Sequence, residues 1–160
     1  MAESVSLFLE QYRSPELVVF VVSLLPILEL RGGMIAASLL DIPWGRAMLI
    51  SIFGNMLPVP FIILFIEKIL LFLKDHGPIK GFARWIERKG MRKGAEMQAK
   101  HPKKLLWGLF LFVAIPLPGT GAWTGSLVAS FLGLDFKKAA PAICGGILGA
   151  SLIMLTLTYI

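Results

Sequence analysis

The chain has 160 residues, of which 56% are hydrophobic and 16% charged, and its formal net charge is +6. With a mean hydropathy of +0.77 it is too apolar for a soluble domain of this size, so it reads as an all-α integral membrane protein forming one membrane domain, residues 1–160. Its single cysteine, Cys144, excludes a disulfide framework, and the sequence holds no H-E-x-x-H, G-x-S-x-G or Walker lysine; no enzyme activity, metal or cofactor is expected.

The N-terminal stretch MAESVSLFLEQYRSPE carries acids and no basic n-region, so no removable signal peptide is expected and the chain reads as mature. From Leu17 to Leu28 runs an apolar segment of twelve residues containing Pro26, and Glu29 and Arg31 interrupt it before a second short segment of nine, Gly32 to Leu40. A helix needs about 20 residues to cross a hydrocarbon core, so neither segment spans. Such a pair suits a re-entrant hairpin that enters, turns at mid-depth and leaves on the same side; the other reading is one kinked spanning helix. Asp41, before Pro43 and Trp44 at the mouth of this hairpin, reads as a turn or cap residue or as a second proton acceptor.

Ala47 to Ile66 is an uncharged run of twenty that continues past Glu67 and Lys68 to Leu73, and it spans. Asn55 lies within it, ahead of Pro58 and Pro60, where the helix can kink and line a path. Residues 74–104 then hold ten of the sixteen Lys and Arg against three acids. Between two apolar halves this density points to a cytoplasmic loop rather than to nucleic acid. Ile79, Phe82, Trp85 and Ile86 recur there at helical spacing, as in an interfacial helix lying on anionic headgroups.

Beyond the loop come two more short segments, Leu105 to Leu117 and Ala122 to Leu134, thirteen residues each, separated by the break PLPGTGAWTGS. The closing run of twenty-two, Ala139 to Ile160, spans. Its small residues Gly145, Gly146, Gly149 and Ala150 allow close packing within the chain or across a homodimer. Sliding the chain by 92 residues aligns Leu25 with Leu117, Pro26 with Pro118, Gly33 with Gly125, Ala37 with Ala129 and Gly54 with Gly146 without a gap. Two copies of hairpin plus spanning helix, with one crossing between them, must be inverted. With the basic loop inside, repeat one covers residues 17–73 and repeat two 105–160; both termini lie outside, Lys137 and Lys138 inside, and Arg13 and Arg46 are outside exceptions.

Hairpins entering from opposite faces place their tips together near the midplane, as a binding site. Ionisable groups persist in hydrocarbon mainly where they line such sites. Gly32, Gly33, Pro116, Pro118, Gly119, Thr120 and Gly121 let backbone turn and approach a ligand. Trp123 and Thr124 are added on weaker grounds, since hydroxyls also satisfy freed backbone groups and tryptophan packs. Arg31 could hold a phosphate; Glu29 could carry a proton, or the two could form a closed structural pair.

The motifs ELRGG (Glu29 to Gly33) and PLPGTGAWTGS (Pro116 to Ser126), in this order around a basic loop, resemble the small multidrug export protein family, related to the DedA/VTT superfamily. The resemblance spans about residues 20–155 and implies two inverted hairpin-plus-helix repeats in a plasma membrane. It also implies lipid movement across the bilayer, notably of undecaprenyl phosphate, with proton coupling. The acidic pair of the DedA proteins is matched by Glu29 and Asp41. Their paired arginines in the second hairpin are not, so Arg31, helped by Arg46, would have to replace them. The first expectation is therefore a transporter of an anionic lipid such as a polyprenyl phosphate, coupled to protons. A proton-coupled exporter of small cationic drugs is the alternative, with Glu29 and Asp41 holding the cation, and a membrane scaffold acting through the basic loop is the third reading.

Overall fold

The computed structural model describes residues 14–160, whose regular elements are all helices, with no strand among the described residues. The acidic N-terminal stretch and Arg13 lie outside them. Helix α1, Pro15–Leu24, starts where Ser14 Oγ accepts from the Leu17 amide at 3.2 Å and Pro15 takes the first turn, where its missing N–H is no loss. It stops at Leu25, whose backbone is extended. Helix α2, Glu29–Leu39, then folds back on α1, because a Cβ on Gly33 would stand 1.8 Å from Ser23 Oγ and one on Gly32 would stand 3.2 Å from Val22. The two segments are therefore not one kinked helix.

Helices α3, Trp44–Met56, and α4, Pro58–Leu73, continue each other over 30 residues. Pro58 and Pro60 remove the donors that the Gly54 and Met56 carbonyls would accept, which interrupts the ladder at Leu57 while its backbone stays helical. The helix starts three residues ahead of the expected run, which began at Ala47, and ends at Leu73 as that run did. At 1.5 Å per residue it measures roughly 45 Å, so Glu67 and Lys68 stand exposed beyond the length of a hydrocarbon core. The basic stretch forms α5, Lys80–Trp85, a π-helical turn, Ile86–Met91, and α6, Arg92–Lys100. Then follow α7, Pro102–Ala114, α8, Ala122–Phe131, and the 24-residue α9, Phe136–Tyr159. Residues 44–73 and α9 are each long and apolar enough to cross a membrane. Their outward side chains, among them Phe53, Phe61, Phe65, Leu152 and Leu157, form an exposed apolar belt that water would not tolerate.

The halves correspond in detail. The turn after α2 puts Asp41 at φ +55° and bonds the Ile42 amide to Ala37 O at 2.9 Å; the turn after α8 puts Gly133 at φ +64° and bonds the Leu134 amide to Ala129 O at 2.9 Å. Both are Schellman stops, 92 residues apart. The first helices, however, correspond at 90. Gly33 packs on Ser23 as Gly125 packs on Val113, and Gly54 packs on Phe20 O and Ser23 as Gly146 packs on Phe110 O and Val113. The ungapped alignment of Leu25 with Leu117 and Pro26 with Pro118 is thereby corrected, since the second break holds two more residues than the first.

Packing is reciprocal: α1 lies on α2 and α3, α7 lies on α9, while α2 crosses to α9 and α8 crosses to α4. The small residues of α9 serve this internal packing, with Gly145 against the Phe110 ring and Gly149 against Ala114. At one end of the molecule Tyr159 donates to Ile42 O at 2.9 Å and Arg46 faces Glu16; at the other, Gly90 and Gly94 rest on the carbonyls of Phe131 and Leu132. The two breaks lie between these ends.

A Cβ on Gly146 would stand 2.6 Å from Val113 and 2.8 Å from Phe110 O, whereas one on Gly108 meets nothing within 4 Å. Thermal melting in detergent should show Gly146→Ala losing about 1–3 kcal/mol from overpacking, and Gly108→Ala unchanged or stabilised by up to about 1 kcal/mol through helix propensity.

Candidate functional site

Breaking a helix in apolar surroundings strands backbone donors and acceptors that have no water to turn to. Four helix ends meet at the two breaks, and three side chains serve them. Glu29 Oε1 accepts from the Trp123 amide at 3.0 Å, in the first turn of α8. The N-cap of α8 is Gly121, which offers no side-chain oxygen, and a Cβ there would stand 1.7 Å from Glu29 Oε2. The carboxylate of the first half thus caps a helix of the second. Because Glu29 also opens α2, its charge lies at the positive ends of two helices. Its φ of +51° is a left-handed conformation that a glutamate adopts only when its surroundings impose it.

Arg31 serves the opposite pole. Its guanidinium donates to Leu117 O, to Ile115 O at 3.2 Å and to Thr120 Oγ1 at 2.9 Å, so it holds the carbonyl end of α7 and the loop behind it. Thr120 braces the same loop, its hydroxyl lying 2.7 Å from Ile115 O and 2.8 Å from Leu117 O. The Trp123 indole donates to Leu24 O, the last carbonyl of α1, at 3.0 Å. Its ring is therefore a bonded part of the junction rather than simple packing.

Glu29 and Arg31 do not form the closed pair considered for them; each is engaged by backbone of the other half, and among the described residues no cationic side chain comes within 4.0 Å of the Glu29 carboxylate. Glu29, 4% exposed, is the one buried charged residue among those described. Gly32 and Gly33 serve close packing on α1, Pro116 and Thr124 are half-buried beside the loop, and Pro118 and Gly119 are exposed on it, Gly119 at φ +80° with open space around it.

Two of the expected site residues lie elsewhere. Asp41 occupies the Schellman turn at the far end of α2, roughly 18 Å along the helix from Glu29, where its short polar side chain suits positive φ. Arg46 is exposed at the start of α3 and faces Glu16 at 3.9 Å, a surface pair of little energetic weight. Neither reaches the tips.

Asn55 does approach them. Ser51 Oγ stands 2.8 Å from a Cβ on Gly33, and α2 and α3 are antiparallel across a tight turn, so one turn back on α2 and one turn on along α3 brings Glu29 and Asn55 to the same level. Asn55 Oδ1 and Ser51 Oγ are buried with no hydrogen-bond partner. Ser23, with its hydroxyl on Val19 O at 2.7 Å, completes this polar face against Gly33. Ser23 and Ser51 were not singled out in the sequence, where a lone serine in an apolar helix carries no pattern; the counterparts Val113 and Ile143 in the second half are apolar. The polar groups at this level belong to the first half.

Among the described residues, an all-helical fold with two membrane-length helices and a buried carboxylate at the junction of two broken helix pairs fits a membrane protein. Residues 29–153 match the family described as "Putative small multi-drug export protein", and the chain belongs to it. No curated protein and no solved structure matches the chain.

Gly121→Ala should unseat Glu29 and lower the melting temperature sharply, because it combines a clash with the carboxylate and a φ of +144°. Gly119→Ala, in open space, should cost only the backbone penalty of about 1–2 kcal/mol. Equal melting of the two variants would remove the contact between Glu29 and the α8 terminus from the account.

Proposed function

We propose that the chain exports small amphiphilic cations, with the Glu29 carboxylate binding the cation and a proton alternately. The carrying observation is Glu29 itself: a buried carboxylate bonded to the α8 N-terminus with no cationic side chain within 4.0 Å among the described residues, and the unpartnered Asn55 Oδ1 at its level. A carboxylate beside an acceptor that lacks a donor suits a cation or a donor-bearing ligand, and exchange with a proton gives an electrically balanced cycle. The family's description as export proteins agrees with this reading.

The same proposal gives the membrane arrangement. The helix pairs α1–α2 and α7–α8 act as re-entrant hairpins of an inverted repeat, opening at opposite ends, with residues 74–104 cytoplasmic. Reciprocal crossing of α2 to α9 and α8 to α4, and breaks that lie between the two ends, support it. Opening either side means separating Glu29 from α8 or Arg31 from α7, contacts that are local and polar rather than large apolar faces.

Transport of an anionic lipid, with the DedA-like mechanism it implies, has less physical support. A phosphate at Arg31 would have to displace Ile115 O, Leu117 O and Thr120, and Arg46, its expected helper, is at the end of the molecule. A scaffold acting only through the basic loop would use Glu29 as the cap of α8 and would leave the unpartnered Asn55 Oδ1 without a role.

Proteoliposomes with an imposed pH gradient and ethidium as the cation separate these readings. Glu29→Gln keeps an oxygen for the Trp123 amide and should fold, yet lose ethidium flux at least tenfold; Glu29→Asp should retain part of it. Undiminished flux in a folded Glu29→Gln protein would refute the proposal, and flux of labelled polyprenyl phosphate that is lost in Arg31→Ala would establish the lipid reading.

A further inference from the structure

The basic stretch is docked on the rest of the molecule by one face and leaves a different one open. Ala83 and Ile86 are 1% and 3% exposed and pack with Leu70 and Phe131. One and two turns further on, Gly90 and Gly94 lie against carbonyl oxygens of Phe131 and Leu132, so closely that a Cβ would stand 2.5 Å and 1.8 Å from them. Ile86, expected to share the lipid-facing stripe of Ile79, Phe82 and Trp85, is thereby reassigned to the protein side. The glycines fix the rotation of the helix, and the opposite groups are committed to whatever lies outside.

What faces outward is a groove of about 550 Å³ lined by Arg88, Lys89, Arg92, Lys93 and Glu96. A second recess brings Trp85 beside Arg88 and Lys89. The acids nearby are already spoken for. Glu87 binds Lys74 at 2.7 Å, Asp75 faces Arg84 at 4.0 Å, and Glu96 binds Lys100 at 2.9 Å. The hydrogen bond donated by Lys100 holds the Glu96 carboxyl below its usual range, and the one that Lys74 donates to Glu87 holds the ammonium above its own. Four cations thus line the groove against one acid, Glu96, which is already bonded to Lys100. Phe82 and Trp85, stacked at 6.2 Å and more than half exposed, stand beside these cations.

We propose that this groove is a binding site for the headgroup of an anionic phospholipid, with Arg88, Lys89, Arg92 and Lys93 holding the phosphate and Trp85 lying at the glycerol level. A soluble anion would need the cations but would have no use for an exposed aromatic pair beside them. A phospholipid uses both. Because Gly90 and Gly94 rest on the end of α8, whose other end is capped by Glu29, the lipid also fixes the helix that carries the junction. The site does not depend on the identity of the exported compound.

The test uses the full chain in an uncharged detergent, with phosphatidylglycerol, phosphatidylcholine or inorganic phosphate added. Phosphatidylglycerol should raise the melting temperature of the wild type and phosphatidylcholine and phosphate should not. The concentration required should rise about twentyfold in Lys89→Gln/Arg92→Gln, taking roughly fivefold per cation. Brominated phosphatidylglycerol should quench a component of the tryptophan fluorescence that disappears in Trp85→Phe. Equal stabilisation by phosphatidylcholine, stabilisation by phosphate alone, or an unshifted concentration in a double variant that melts normally would each overturn the proposal.

Discussion

A helix broken inside an apolar layer must find partners for its exposed amides and carbonyls, and the rest of this structure depends on how that is met. The solution is an exchange between halves. A carboxylate at the first break takes the amide end of α8, a guanidinium two residues later takes the carbonyl end of α7, and an indole at the second break returns a bond to the last carbonyl of α1. Opposite charges are separated onto opposite helix poles instead of cancelling each other. Each half is incomplete without the other, and the tips meet inside one buried core that residues of both halves share, Leu30 and Met34 from the first with Ile143 and Ile147 from the second.

This arrangement also explains why the junction can do work. Buried hydrogen bonds to charged groups are strong while they are made, but each is a single contact that a ligand or proton can replace. The apolar packing on either side, glycine against Val113 or Ser23, is tight and does not share that property. In the proposed export cycle, movement is concentrated where the polar contacts are. The left-handed backbone at Glu29 fits the same picture, since a conformation imposed by its neighbours relaxes once they withdraw.

Much of the fold was legible. Segment length separated the short helices from the long ones, and the offset of 92 located equivalent turns and the start of both long helices. Composition placed the amphipathic basic segment, and ELRGG with PLPGTGAWTGS marked the breaks that prove to face each other. What escaped has a physical cause in each case. Backbone acceptors such as Ile115 O and Leu24 O have no residue signature, so Arg31 read as a phosphate donor or a partner of Glu29 when it is engaged by the second break. Asp41 could not be told from a proton acceptor, because positive φ is visible only in the turn that requires it. The extra two residues of the second break were hidden by leucine and proline identities that apolar composition makes common. Ile86 lies in register with its exposed neighbours, and only Gly90 and Gly94, read as docking contacts, reveal the face that turns inward.

The central claim is that Glu29 reaches across from the first half to the start of α8. Solid-state NMR on the protein in bilayers, with 13C in the Glu29 carboxyl and 15N in the Trp123 amide, measures that contact directly. Strong dipolar coupling, as required by the 3.0 Å bond from the amide to Oε1, is the predicted result. Absence of coupling in a folded sample would contradict the account, because the carboxylate would then be capping nothing.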